Sequence, residues 1–362
     1  MKTAIILGTR PEIIKFSPII KKLRKKDCTV IFTGQHYDYD MSLRFIDDLE
    51  LPAPDYKIKL TKLQNATTDR ATQTGEIILN LAKIITDINP DTVLVQGDTN
   101  TVLAAGITSL KCSIPISHIE SGLRSNDWRM PEEHNRIAID HISELLFAPT
   151  KDAKKNLMDE KVHGKIHISG NTSIDAIENC ISQIEKKSTF IPIFDEYALI
   201  TLHRGENVDD KKTLASIIHA LINSKYNLVF PIHPRTLKQI KKFGFYNKLK
   251  NSYNIQIIPP QGYFEMIKLM KNCTFIISDS GGIQEEATSP SIRKKVLVIR
   301  KTTDRPESIN AGFAELVGTN SNSILKAIKK SAKNPSIPNF SAPYGKGNAS
   351  EKIIKILRKN FN

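Results

Sequence analysis

A chain of 362 residues exceeds what one hydrophobic core usually supports, so two domains are expected. Hydrophobic residues at 40% and charged residues at 25% exclude a disordered chain, and no apolar run approaches the ~18 residues of a membrane span. The net charge of +14 raises nucleic acid as a partner, but Lys21-Lys22, Lys241-Lys242 and Lys329-Lys330 fall on helical faces without interleaved aromatics, so no nucleic-acid partner is expected.

In chain order, apolar runs alternate with amphipathic stretches. Strands are predicted at Thr3–Leu7, Thr29–Thr33, Thr92–Gln96, Ile114–Ile119, Leu145–Ala148 and Ile166–Ser169. After a gap come Ala198–Leu202, Leu228–Ile232, Ile255–Ile258, Phe275–Ser278 and Val296–Arg300. Helical spacing predicts Gln73–Thr86, Thr99–Leu110, Ser173–Lys186 and Lys211–Asn223 between them. Continuous apolar strands separated by helices predict parallel sheets covered on both faces. The expected fold is therefore α/β, with two Rossmann-like domains, residues 1–170 and 171–347, facing a central cleft, and a terminal helix over 348–362 packing back on the first. Ligands of open α/β sheets bind at the carboxyl ends of the strands.

The opening stretch is too short for a secretory signal and reads as a first strand, from which a cytoplasmic location is expected. Cys28, Cys112, Cys180 and Cys273 are far apart and show no metal spacing; reduced, partly buried thiols are expected and no metal.

The chemistry-bearing residues fall at predicted strand ends. The first strand ends in Gly8-Thr9-Arg10-Pro11-Glu12, where a tight turn meets a helix start. Arg10, and Lys15 one turn on, are either phosphate ligands or surface cations; the residues alone leave both open. The pattern is not G-x-G-x-x-G, so no dinucleotide cofactor is indicated. Asp98 follows the third strand and alone reads first as a helix cap. Glu120 follows the next strand, and Glu132 and Glu133 begin a helix shortly after. Carboxylates gathered at one sheet edge raise at least one pKa, the condition for proton transfer; one of the Glu132/Glu133 pair has the alternative of answering the helix dipole.

In the second half, His203-Arg204-Gly205-Glu206 and His233-Pro234 follow successive strands. Ser280-Gly281-Gly282 joins a strand to a helix and offers backbone N–H groups to a diphosphate with no Cβ in the way, with Glu286 one turn inside for a ribose diol. Arg300 and Arg305 add cations by the next strand.

Taken together, G-T-R-P-E-x-x-K (Gly8–Lys15), G-Q-H (Gly34–His36), Q-G-D-T (Gln96–Thr99), H-x-E-x-G-L-R (His118–Arg124), P-E-E-x-N-R (Pro131–Arg136), S-G-G-I-Q-E-E (Ser280–Glu286) and R-x-T-T-x-R-P-E (Arg300–Glu307) resemble the non-hydrolysing UDP-N-acetylglucosamine 2-epimerases over nearly the whole chain. The resemblance implies glycosyltransferase B-type architecture, a homodimer, and a reaction without NAD or metal that interconverts UDP-GlcNAc and UDP-ManNAc for polysaccharide synthesis. It implies that Arg10, Ser280, Gly281, Gly282 and His203 hold the diphosphate and Glu286 the ribose. Lys15, Arg136 and Arg305 would line the rest of the site. Asp98, Glu120 and Glu132 match the catalytic carboxylates, with His203 beside them.

Bacterial members carry a second, activating UDP-GlcNAc, whose pattern is partly matched by Gln35, Arg70, Glu133, Arg204 and His233. The chain departs from the family pattern at Asp38, where a Gln is expected, at Gly205, where H-R-R-E lacks one Arg, and in the longer loop Ser291–Lys295. Rival readings are a hydrolysing epimerase, an epimerase for a diacetamido uronate, a glycosyltransferase and a non-catalytic nucleotide-sugar sensor.

Overall fold

The computed structural model describes residues 1–23, 27–35, 45–61, 68–188, 190–337 and 341–361. The chain divides into two compact units, Met1–Ala176 with Gly345–Asn362, and Ile177–Tyr344.

The first unit holds a parallel sheet of β1 (Thr3–Leu7), β2 (Cys28–Phe32), β3 (Tyr56–Lys57), β4 (Thr92–Gln96), β5 (Ile116–Ile119), β6 (Leu145–Ala148) and β7 (Lys165–Ile168), in the order β3-β2-β1-β4-β5-β6-β7. β1 and β4 are buried at every position, as strands covered on both faces must be. Ala4, Ile6, Val93 and Val95 share one core with Ile77, Leu81 and Ile85 of the helix Thr68–Ile88 and with Val102 and Ala105 of the helix Asn100–Lys111.

The terminal helix Ala349–Phe361 closes this unit, burying Ile353, Ile354 and Leu357. Its first amide groups are capped from afar. Asp175 accepts Ala349 N at 3.0 Å, Ser350 N at 2.8 Å and Ser350 Oγ at 2.6 Å, satisfying donors that a helix start cannot pair internally.

The second unit holds β8 (Ala198–Thr201), β9 (Leu228–Pro231), β10 (Ile255–Ile258), β11 (Ile276–Ser278), β12 (Val296–Val298) and β13 (Ala314–Leu316), ordered β10-β9-β8-β11-β12-β13 and parallel throughout. Its core joins Ile200, Phe230, Ile277 and Leu297 to Leu214, Ile217 and Leu221 of the helix Lys211–Asn223.

Both units are thus Rossmann-like. In each, the strand order reverses beside the first strand: between β1 and β4 in one, between β8 and β11 in the other. Such a switch point opens a crevice at the carboxyl ends, where ligands of these sheets bind.

The structure departs from the sequence expectation at two strands and two helices. β3 and β13 were not anticipated: they are edge strands of two and three residues, too short for a pattern of period two. The helix near Gln73 begins earlier, at Thr68, because its first turn is polar and carries no apolar periodicity. The helix expected over Ser173–Lys186 is Thr172–Cys180, a 3-10 turn Ile181–Gln183 and a short helix Ile184–Lys187; the run Asn179-Cys180-Ile181-Ser182 is of weak helix formers, and 3-10 turns are common connectors.

Candidate functional site

In the first unit, β1 and β4 deliver their loops to the two sides of the switch point. The β1 loop is built around Gly8, since a Cβ there would lie 2.2 Å from Thr101 Oγ1 and 2.3 Å from Thr33 Oγ1. Glu12, 3% exposed, then ties the two loops together. Its Oε2 accepts Gly8 N at 2.9 Å and Thr9 N at 2.7 Å, and its Oε1 accepts the hydroxyl of Thr99 at 2.8 Å. Burial raises its pKa, partly opposed by these donors. Arg10 starts the helix Arg10–Lys22, its guanidinium 4.2 Å from the centre of the Phe45 ring.

The carboxylates are held differently from one another. Asp98 Oδ2 meets Arg136 Nη2 at 2.5 Å, and its main-chain carbonyl accepts Asn135 Nδ2 at 2.8 Å. Glu120 sits at φ 69°, a left-handed conformation that costs energy for a residue with a side chain. Its buried carboxylate meets Lys15 Nζ at 2.6 Å, and the backbone is pinned by Glu120 N and Ser121 N donating to Phe147 O at 3.1 and 3.2 Å.

Glu132 and Glu133 open the helix Pro131–Ile142 and diverge there. Glu132 is half-buried, and its carboxylate makes no hydrogen bond or ion pair among the described residues. Glu133 is buried and saturated: it accepts Ser125 N, Ser125 Oγ and Asn126 N at 2.8–3.0 Å and pairs with Arg136 Nη1 at 2.9 Å. Burial pushes its pKa up, but those amides, Arg136 and the Ser125 hydroxyl outweigh it and hold the carboxyl below its usual range. Arg136 therefore spans Asp98 and Glu133 rather than standing open to a ligand.

Gln35 is tied instead to the helices Asn100–Lys111 and Thr68–Ile88. Its Oε1 accepts Thr101 N and Oγ1, both at 2.8 Å, while its carbonyl accepts Gln73 Nε2 at 3.0 Å. Arg70 is exposed on the helix Thr68–Ile88. His36 and Asp38 lie outside the described residues.

In the second unit, β8 and β11 flank the switch point. His203 Nδ1 lies 3.1 Å from Asp279 Oδ1, and the same buried carboxylate accepts His203 N, Arg204 N and Asn207 Nδ2 at 3.0–3.1 Å. Burial opposes the charge on Asp279, yet His203, the Arg204 amide and Asn207 lower its pKa overall. The rings of His203 and His233 stand 5.8 Å apart, and His233 Nδ1 accepts Arg235 N at 3.2 Å. At Gly205 a Cβ would lie 2.8 Å from Arg235 Nη2 and 3.0 Å from Asp209 Oδ2. The position that lacks an arginine thus abuts an Arg235–Asp209 pair.

Ser280 precedes the short helix Gly281–Glu286. A Cβ at Gly282 would meet only Ser280 Oγ, at 3.8 Å, so this backbone is open; at Gly281 it would meet the Asp304 carboxylate at 3.3 and 3.4 Å. Glu286 is half-buried on the same turn. Arg305 is buried between Glu285 and Asp304, and Arg300 bonds Asp304 at 2.9 Å and Glu206 at 3.2 Å. Both arginines stiffen the loop behind Gly281. Among the described residues no group of His, Cys, Asp and Glu is arranged to hold a metal ion, and no helix is long and apolar enough to cross a membrane.

Sequence reasoning assigned no role to Glu12 or Asp279, the buried carboxylates that shape the two sets of loops. The sequence signal is their position, Glu12 inside the motif Gly8–Lys15 and Asp279 directly before the motif Ser280–Glu286.

Residues 20–358 match the family model described as UDP-N-acetylglucosamine 2-epimerase. A Methanococcus maripaludis protein named UDP-N-acetylglucosamine 2-epimerase is 43% identical, covering 98% of each chain. The crystal structure of Methanocaldococcus jannaschii UDP-GlcNAc 2-epimerase in complex with UDP-GlcNAc and UDP is similar at a TM-score of 0.89 and 41% identity, over 99% of this chain and 100% of that one. A Pseudomonas aeruginosa UDP-2,3-diacetamido-2,3-dideoxy-D-glucuronate 2-epimerase is 35% identical, over 99% of this chain and 100% of its own.

Proposed function

The chain belongs to the UDP-N-acetylglucosamine 2-epimerase family, and from that premise we propose that it interconverts UDP-GlcNAc and UDP-ManNAc without releasing free sugar. The observation that supports this reading is that Asp98 and Glu120 follow the paired strands β4 and β5 while Glu132 opens the helix whose Arg136 pairs with Asp98, each carboxylate in a different environment.

The C2 hydrogen of the sugar is not next to a carbonyl, so direct deprotonation is prohibitively slow. UDP instead leaves C1 while a base takes the C2 proton, giving 2-acetamidoglucal; UDP then returns as a proton arrives on the opposite face. Inversion needs one proton-transferring group per face. Asp98 and Glu132 take those roles, with Glu120 assisting. Positive charge develops on the ring and is answered by the carboxylates. Negative charge develops on the departing diphosphate and is answered by Arg10, the Ser280 hydroxyl, the Gly281 and Gly282 amides and His203, which Asp279 orients. Lys15 and Arg136 hold Glu120 and Asp98 through their ion pairs, Arg305 braces the loop behind Gly281 through Asp304, and Glu286 takes the ribose.

The assembly that accords with the resemblance is a homodimer, checked by light scattering. The Pseudomonas relative makes a diacetamido uronate the main competing substrate. The deciding experiment is product NMR after incubation with UDP-GlcNAc in D₂O. UDP-ManNAc carrying deuterium at C2 is expected; stoichiometric UDP with free N-acetylmannosamine overturns the non-hydrolysing reading, and no C2 exchange overturns epimerisation.

A further inference from the structure

His118 is fully buried on β5, and the reaction above uses it nowhere. Its ring is nonetheless placed behind both carboxylate loops. Nε2 lies 2.9 Å from the carbonyl of Gly97, the residue before Asp98. Nδ1 lies 2.7 Å from Asp140 Oδ1. Asp140 Oδ2 in turn accepts Gly122 N at 3.0 Å and meets Arg124 Nη1 at 2.8 Å. Arg124 is forked onto Glu160 by two bonds of 2.7 Å. A carbonyl oxygen can only accept, so the bond to Gly97 requires a proton on Nε2. With Oδ2 already taken by two donors, the Asp140 carboxylate faces Nδ1 as an acceptor as well.

The two backbones fixed this way are unusual. Gly97 (φ 81°), Glu120 (φ 69°) and Gly122 (φ 79°) are all left-handed, and Gly97 N donates to Ile119 O at 3.1 Å, stitching one loop to the other. Left-handed residues persist only where the surroundings determine them. One buried ring therefore anchors the loop of Asp98 directly and, through Asp140, the turn that follows Glu120.

We propose that His118 is a positioning residue for the epimerisation, setting the spacing of Asp98 and Glu120 through its Nε2–H bond to Gly97. The proposal rests on the functional reading above, since it assigns those carboxylates to catalysis.

Two substitutions separate positioning from packing. In His118→Asn the amide nitrogen replaces Nδ1 and keeps a donor to Asp140 but cannot reach Gly97. In His118→Gln it replaces Nε2 and keeps the Gly97 bond but leaves Asp140 without that donor. The Asn variant is expected to be the more stable and to lose about 100-fold in kcat, the scale set by misplacement of about 1 Å, with KM within about 3-fold. The Gln variant is expected to melt lower yet keep kcat within about 10-fold of wild type. Equal kcat losses in both variants, or full activity in His118→Asn, overturn the proposal.

If neither variant folds, nitrogen-15 NMR of wild-type imidazoles decides: a slowly exchanging Nε2–H on His118 supports the bond to Gly97, and its absence overturns it. The spectrum needs no turnover. A wild-type protein that does not epimerise UDP-GlcNAc defeats the functional reading, while the ring proton still reports on the anchor.

Discussion

Lys15 Nζ lies 2.6 Å from Oε2 of Glu120, and both side chains are largely withdrawn from water, at 16% and 4% exposure. A contact between helix Arg10–Lys22 and the end of β5 therefore places a cation on a carboxylate held in a left-handed backbone. Removing one partner of such a pair leaves a charge whose desolvation is no longer offset, while removing both is far milder. Lys15→Met is expected to destabilise the fold by on the order of 3 kcal/mol, and Glu120→Gln by less, since an amide fits the same space. The double variant is expected to recover part of the Lys15→Met loss. Urea unfolding of the four proteins measures the coupling; strictly additive losses count against an energetic pair.

Neighbouring glutamates in one helix turn are expected to respond in opposite ways. Glu132 has no partner to lose among the described residues, so Glu132→Gln leaves the melting temperature within about 1 °C of wild type and abolishes epimerisation. Glu133 accepts Ser125 and Asn126 and pairs with Arg136, so Glu133→Gln costs on the order of 2 kcal/mol. Because the folded pKa of Glu133 lies below its ordinary 4.5, its stabilisation is complete above that value and is lost as pH falls through the folded pKa. Acid unfolding of Glu133→Gln is expected to be the shallower. Equal melting temperatures for the two variants refute this division of roles.

Glu12 carries the opposite sign. Burial raises its pKa above 4.5, so the favourable condition is full below that value and diminishes as pH rises through the folded pKa. In Glu12→Gln the amide oxygen takes over the Gly8 and Thr9 amides, and its nitrogen donates to Thr99 Oγ. The variant is expected to gain stability on wild type as pH rises from about 4 to about 8, whereas Glu12→Ala, losing all three bonds, falls by on the order of 3 kcal/mol. Chemical denaturation across that range checks it; a constant difference between wild type and Glu12→Gln removes the titration argument.

Much of this was legible in the sequence, for a physical reason. Strands buried on both faces write themselves as unbroken apolar runs, as at Thr3–Leu7 and Thr92–Gln96, and the polar motifs follow where those runs stop. That locates Arg10, Asp98, Glu120, His203 and Ser280 at strand ends. Edge strands β3 and β13 bury too little to leave such a trace. Partnership was illegible for a different reason. Glu12 meets Thr99 across 87 positions and Asp279 meets His203 across 76, so which carboxylate is bound and which stands ready emerges only once the chain is folded. Arg136 and Arg305 read as cations for a ligand; the fold gives each two carboxylates of its own.

Asp279 offers the clearest test of how the second unit presents its cations. Its carboxylate accepts His203 N, Arg204 N and Asn207 Nδ2 and meets His203 Nδ1, while Asn207 also donates to Ile299 O at 2.8 Å. Asp279→Asn keeps the shape but removes the charge and exchanges one acceptor oxygen for a donor facing amides that also donate. The β8 loop is then expected to shift, taking His203 out of position. Loss of one or two charge-assisted bonds of about 1.5–3 kcal/mol each predicts UDP binding weaker by ~10-fold or more, whereas His203→Asn, which removes only the imidazole, weakens it less. Calorimetric titration with UDP separates the two. If Asp279→Asn binds UDP like wild type, the carboxylate holds the loop without tuning its ligand grip.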